Sequence, residues 1–211
     1  MLQLSLDWMT LNQALEILLD TSKNVDIIEV GTPMLFEYGL SAVKTIKEAY
    51  PDKLVLADMK IIDGGKLEVE MALRYGADIV TIMAAANDRT IEIAAQAAHD
   101  GGKLIMADLL GVKDIAARAV RLEELGVDYI CVHTAFDMKD AQARPVNALM
   151  EVQAVCKKAK TAIAGGITRK ELDGILELRP DDVIVGGGIL NSADIAAEAS
   201  YFYRRCHAEK N

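Results

Sequence analysis

Aromatic side chains are scarce in this 211-residue chain: Phe, Trp and Tyr together make up 5% of it. Aliphatic side chains must therefore fill any core, and hydrophobic residues reach 52%, which excludes a disordered or collagen-like chain. Cysteine is also sparse. Cys131, Cys156 and Cys206 show neither paired spacing nor a metal-ligand pattern, and Cys131 lies in the apolar run YICV, where a thiol packs as a small core side chain. Only three histidines occur, and His99 and His207 fall on helical patterns, which argues against a zinc site. No block of Lys and Arg stands out from a net charge of −9, so no nucleic-acid partner is expected. An anionic metabolite would have to be held by a local pocket rather than by the field of the whole protein. No apolar stretch reaches membrane-spanning length. The start MLQLSLD has no basic segment and so does not read as a signal peptide. These absences lead to the expectation of a soluble cytoplasmic protein with no membrane partner, forming a single domain over residues 1–211.

What is present is a regular alternation. Eight β-type runs recur: LQLSLD (2–7), VDIIEVG (25–31), KLVLADMK (53–60), DIVTIMA (78–84), KLIMADLL (103–110), VDYICVHT (127–134), KTAIAGG (160–166) and DVIVGGG (182–188). Several are almost continuously apolar, as expected of strands covered on both faces. Helical patterns lie between them. TLNQALEILLD places Leu11, Leu15, Leu18 and Leu19 on one face, and NDRTIEIAAQAAHD carries Ile91, Ala94, Ala95 and Ala98 behind the cap-type residues Asn87 and Asp88. DIAARAVRLEELG closes on Gly126, and NSADIAAEASYFYRRC forms the last helix. Eight strand–helix alternations in one domain predict a closed (β/α)₈ barrel. An open doubly wound sheet would normally carry a glycine loop after its first strand, and LDWMTLN has none.

In such a barrel the reacting groups sit at the carboxyl ends of the strands. Those ends carry Asp7, Glu29, Asp58 with Lys60, Asp108 and His133, five of the eight ending in an acid or histidine. Strand alternation turns Asp58 and Lys60 to the same side, and Asp63 follows in the loop, free to swing over the mouth or to reach a neighbouring subunit. A lysine between carboxylates lets the charges coexist; without it, crowded carboxylates would retain protons. Glu29 and Asp58, from successive strands, offer hard oxygen ligands that suit Mg²⁺ with open positions for water and substrate. The endings AGGI and GGGI, with Gly165, Gly166, Gly186 and Gly187, place bare backbone N–H groups before helix starts, the usual phosphate seat of this fold. Each residue also has a purely structural use, such as a turn, a surface ion pair or a satisfied core histidine. It is the set that points to chemistry.

The D-x-K-x-x-D of DMKIIDGG, with VDIIEVGTP, VDYICVHT, TAIAGGI and VIVGGGI in that order, resembles the 3-hexulose-6-phosphate synthase family. That family lies within the orotidine-monophosphate-decarboxylase-like barrels, and the resemblance runs over essentially the whole chain. It implies an Mg²⁺-dependent aldol reaction between D-ribulose 5-phosphate and formaldehyde, passing through an enediolate. On this resemblance Glu29 and Asp58 hold the metal, and Lys60 and Asp63 contact substrate hydroxyls. Asp7 also contacts the substrate, Asp108 and His133 serve catalysis, and the strand-7 and strand-8 glycines hold phosphate. It further implies a homodimer in which Asp63 enters the partner's site. The chain departs from the pattern at Ala135 and Phe136, where many members carry glycine and a hydroxyl or tyrosine, and in the loop over 134–145. A close relative, 3-keto-L-gulonate-6-phosphate decarboxylase, carries arginines where this chain has Phe136 and Gly187, and a glutamate at Asp108. That contrast favours the aldol reaction, with an apolar pocket by Phe136 suited to formaldehyde. Orotidine-monophosphate decarboxylase follows its acid with isoleucine–proline rather than Gly64–Gly65, and ribulose-phosphate 3-epimerase needs more strand-end histidines than this chain has. A barrel that binds a phosphosugar without turning it over is the non-enzymatic alternative.

Overall fold

The computed structural model describes residues 1–135, 137 and 145–208. The eight expected strands are all present, seven trimmed by a residue or more and β3 moved on by one residue: β1 (Leu2–Leu6), β2 (Ile27–Val30), β3 (Leu54–Ile61), β4 (Ile79–Met83), β5 (Leu104–Asp108), β6 (Tyr129–His133), β7 (Lys160–Ala164) and β8 (Asp182–Val185). They pair in parallel in sequence order and close between β8 and β1, giving the expected (β/α)₈ barrel. The crossovers carry α1 (Leu11–Thr21), α2 (Thr32–Tyr38) with α3 (Ser41–Ala49), α4 (Gly65–Arg74), α5 (Asp88–Asp100), α6 (Ile115–Glu124), α7 (Pro145–Val155), α8 (Arg169–Glu177), and the one-turn α9 (Gly187–Leu190) with α10 (Ile195–Cys206). The second and eighth crossovers thus hold two helices each. No helix among the described residues is long and apolar enough to cross a membrane.

Local chemistry explains the boundaries. Thr10 and Gln13 form a capping box at the start of α1, as Thr168 and Glu171 do at α8, and Asp194 caps α10 through the amide of Ala197. The buried face of α5 is the one expected, with Ala97 added. The face of α1 differs: Ala14 and Leu18 are buried, Leu11 and Leu15 partly so, and Leu19 stands 76% exposed, turned away from the barrel by the 3.6-residue period.

The core has two compartments. One lies between strands and helices; the other fills the lumen with Ile27, Leu56, Ile79, Met106, Cys131, Ala162 and their neighbours. Two residues further along five of those strands, on the same inward face, stand Glu29, Asp58, Thr81, Asp108 and His133. One strand period therefore separates an aliphatic plug from a polar layer. Cys131 is buried as expected, and burial pushes its thiol well above the ordinary range.

The foot of the barrel is stitched by a repeated device. Asp26, Asp78, Asp128 and Asp181 each precede or open an even-numbered strand. Each carboxylate accepts the amide of one residue on the preceding odd strand: Leu2 at 2.7 Å, Val55 at 2.9 Å, Ile105 at 2.9 Å and Thr161 at 2.7 Å. Each aspartate amide in turn donates to the carbonyl of that same residue. Lys47 and Lys103 flank Asp78 at 2.8 and 2.7 Å, and although burial opposes its charge, these bonds hold its carboxyl below the usual range.

Asp182 is the exception at this end. It is fully buried, and neither carboxylate oxygen has a hydrogen-bond partner among the described residues, the amide of Val183 being donated to Met1 O. Burial raises its pKa to about 7. The folded chain thus keeps a proton that the unfolded chain releases in the ordinary carboxyl range, so stability present in acid is lost as pH rises toward and through 7. Asp182→Asn is expected to melt several degrees above wild type at pH 8, with the gap narrowing at pH 5; calorimetry at both values checks it. A gap independent of pH would contradict the assignment.

Candidate active site

A cavity of about 910 Å³ opens at the carboxyl ends of the strands. Its wall includes Asp7, Glu29, Asp58, Lys60, Asp108 and His133, together with Gly165, Gly166, Gly186 and Gly187. All the expected site residues except Asp63 therefore converge there.

Lys60 is the hub. Its ammonium is hydrogen-bonded to Asp58 Oδ2, lies 3.2 Å from Thr32 Oγ1 and 3.9 Å from Asp108 Oδ2. Asp58 is buried and held from several sides: Thr32 Oγ1 lies 2.7 Å from its Oδ2 and Thr81 donates to its Oδ1 at 2.8 Å. Burial alone would raise its pKa, but the Lys60 charge and the bonds from Lys60, Thr32 and Thr81 hold the carboxyl below its usual range. Burial likewise opposes the Lys60 ammonium, and Asp58, Glu29 and Asp108 together more than offset it, keeping the lysine charged. The expectation from strand alternation was right about proximity and incomplete about its cause. The β3–β4 register shifts between Ala57 and Ile61, and Lys60 has a φ of +47°. A bulge, not a regular strand, brings the pair together.

Asp108 joins this group to His133, whose Nδ1 lies 2.8 Å from Asp108 Oδ2, while Asp108 Oδ1 accepts the amide of Leu110 at 2.8 Å. With Nδ1 turned to the carboxylate, Nε2 is the nitrogen left for a ligand. Glu29 is buried and takes a hydrogen bond from Gln3 Nε2 at 2.5 Å. Burial and the charges of Asp58 and Asp7 raise its pKa well above the ordinary value. Asp7 accepts from Ser5 at 3.1 Å, and burial followed by the Asp58 charge raises its pKa too. Its place depends on Gly31, where an added Cβ would fall 2.0 Å from Asp7 Oδ1. Gly165, at φ +103°, lets β7 approach β6: a Cβ there would lie 2.5 Å from Thr134 O.

Asp63 stands apart. Its Oδ1 accepts the amide of Gly64 at 2.8 Å, and it borders a separate shallow depression with Lys66, Leu67 and Arg89. Phe136 lies outside the described residues. Thr32, Thr81, Gln3 and Gly31 were not anticipated. The one trace of Thr81 was a hydroxyl at an inward position of an apolar strand, in DIVTIM.

No cluster of three His, Cys, Asp or Glu groups able to hold a metal ion occurs among the described residues. The donor set nevertheless fits a hard cation that keeps water and substrate oxygens in its shell. Among the described residues Glu29 is a buried carboxylate without an ion-pair partner and the neighbouring Gln3 Oε1 is buried without a donor, while Asp58 lies near enough to raise the Glu29 pKa.

The family model described as orotidine 5′-phosphate decarboxylase / HUMPS family matches residues 1–202. The chain belongs to that family. It is 45% identical over 199 residues to the 3-hexulose-6-phosphate synthase of Bacillus subtilis (strain 168), covering 94% of this chain and 95% of that protein. The crystal structure of 3-hexulose-6-phosphate synthase from Salmonella typhimurium superposes with a TM-score of 0.94 at 42% identity, covering 97% of each chain. The 3-keto-L-gulonate-6-phosphate decarboxylase of Vibrio cholerae is also similar, at 26% identity and a TM-score of 0.86, covering 98% of this chain and 96% of that one. Within the family framework, Gly31→Ala gives a direct test of the Asp7 position. Its φ of −66° suits alanine, so the fold is retained, while the Asp7 carboxylate must retreat by about 1 Å or more to clear the new Cβ. A crystal structure of the variant with Asp7 unmoved would refute this.

Proposed function

We propose that this family member is a 3-hexulose-6-phosphate synthase, joining D-ribulose 5-phosphate and formaldehyde to give D-arabino-3-hexulose 6-phosphate. The observation that carries the reading is the continuous array Asp58–Lys60–Asp108–His133 in one polar layer. The relatives of the same name at 45% and 42% identity support it.

Removal of a proton from C1 of the ketose leaves negative charge shared by the oxygens on C1 and C2, an enediolate. Lys60, fixed between Asp58 and Asp108, places a permanent ammonium where that charge grows, so little reorganisation is needed when it appears. His133 presents Nε2 to the cavity because Asp108 holds Nδ1. Taking the C1 proton and returning it to the former aldehyde oxygen, after C1 has bonded to the formaldehyde carbon, leaves the enzyme unchanged. Mg²⁺ held by Glu29 and Asp58 would supply a second positive charge beside the enediolate. The glycine backbones at 165–166 and 186–187 receive the phosphate, and Asp7 and Lys60 orient hydroxyls.

The subunit is proposed to act as a homodimer. Asp63, exposed and away from its own cavity, adjoins Ile62 and Leu67, apolar side chains that are 54% and 63% exposed. A partner covering them would receive Asp63 at its own mouth. A cytoplasmic location suits three free thiols.

The deciding assay follows formaldehyde consumption with ribulose 5-phosphate. Activity is expected with Mg²⁺, is abolished by EDTA, and is strongly reduced in Asp58→Asn. kcat/KM should exceed that for 3-keto-L-gulonate 6-phosphate, since a guanidinium at Gly187 is absent. A higher value for the second substrate overturns the reading, and full turnover in metal-free protein removes the metal from it. For the dimer, an inactive Asp63→Ala chain mixed with an inactive His133→Ala chain should regain part of the activity, because one of the two shared sites recovers both residues. Mixed dimers without recovery would place Asp63 within its own subunit.

A further inference from the structure

Thr81 occupies a position for which strand pairing offers no ordinary explanation. On the β3–β4 ladder Ala57 pairs with Val80 and Ile61 with Ile82, so Asp58, Met59 and Lys60 all stand opposite Thr81 alone. The chain accommodates the excess by taking Lys60 to φ +47°, a backbone conformation unfavourable for a lysine. Only Lys60 and Arg179 among the described non-glycine residues have a positive φ. Thr81 is 4% exposed, and its hydroxyl spans the bulge: it accepts the Lys60 amide at 2.9 Å and donates to Asp58 Oδ1 at 2.8 Å. Both of its hydrogen-bonding roles are thus spent on the two residues whose side chains form the ion pair.

We infer that Thr81 is a positioning residue, whose hydroxyl holds the β3 bulge in the geometry that sets the Lys60 ammonium between Asp58 and Asp108. It need not touch substrate. Without it, the Lys60 amide and Asp58 Oδ1 lose their partners in a buried setting, and the strand gains by relaxing toward extended geometry. That relaxation would withdraw the ammonium from its place.

Thr81→Val keeps the β-branched shape and deletes both bonds, and Thr81→Ser keeps the hydroxyl. Two measurements read the effect. The kinetic one rests on the synthase reading: kcat should fall about 10²-fold in Thr81→Val with a much smaller change in KM, and Thr81→Ser should recover most of the loss. The second is independent of any activity. Acetic anhydride labelling read by mass spectrometry, scaled to the exposed Lys44, should show Lys60 acylated several-fold faster in Thr81→Val and at the wild-type rate in Thr81→Ser. Changed labelling in a protein that does not consume formaldehyde would uphold the positioning role and remove the synthase reading. Wild-type labelling in Thr81→Val, or a serine variant that behaves like valine, overturns the inference. If Thr81→Val does not fold, Thr81→Ala carries the same expectations; if neither folds, Thr81 is a folding requirement and the inference fails.

Discussion

The ammonium of Lys60 is the charge on which the polar layer of the lumen depends. Among the described residues lining the cavity it is the lysine or arginine that faces Asp7, Glu29, Asp58 and Asp108. Burial works against the charges of Asp7, Glu29 and Asp58, and for Asp7 and Glu29 it prevails. Asp58 stays ionised because Lys60 and two threonine hydroxyls lie against it, and Lys60 stays charged because the carboxylates do the same in return. Such mutual support is weak evidence for stability, since desolvating both partners is costly. It is better understood as a fixed electrostatic environment, kept in place by the aliphatic plug two residues below.

That plug and the layer above it show how little sequence separates a scaffold from a site. Ile27 and Glu29, Leu56 and Asp58, Met106 and Asp108, Cys131 and His133 are inward-facing pairs one strand period apart. The lower member of each fills the barrel and the upper one faces the cavity. Rigid strands therefore carry the reacting groups, while Gly31 and Gly165 remove the side chains that would crowd them.

Much of this was legible in the sequence. Continuous apolar runs and their turn residues located all eight strands, and the acids and histidine at their ends named the residues that line the cavity. What escaped depends on relations between strands. The bulge at Lys60 exists only in the register of β3 against β4, and Thr81 and Thr32 acquire their roles from that register. Gly31 looks like an ordinary turn residue until Asp7, from another strand, is brought against it. Leu19 was grouped with Leu11, Leu15 and Leu18 on one helical face, and the 3.6-residue phase turns it outward. Spacing left Asp63 free to cover its own mouth or to reach a neighbouring subunit, and within its own subunit it lies outside the cavity.

The aspartate stitches at the foot of the barrel fall on alternate seams: β1–β2, β3–β4, β5–β6 and β7–β8. The short strings VDII, ADIV, VDYI and PDDV, beginning at residues 25, 77, 127 and 180, carry the device around the ring at nearly even spacing. The barrel is thus a four-beat object as well as an eight-stranded one, and its natural module is a strand pair with the helices that follow. New chain ends made at an unstitched seam, such as between β4 and β5, leave every stitch inside one continuous stretch of polypeptide. Ends made within a pair separate a carboxylate from its amide by the length of the whole chain. Circular permutants and transplanted segments should therefore sort by the parity of the seam they cut.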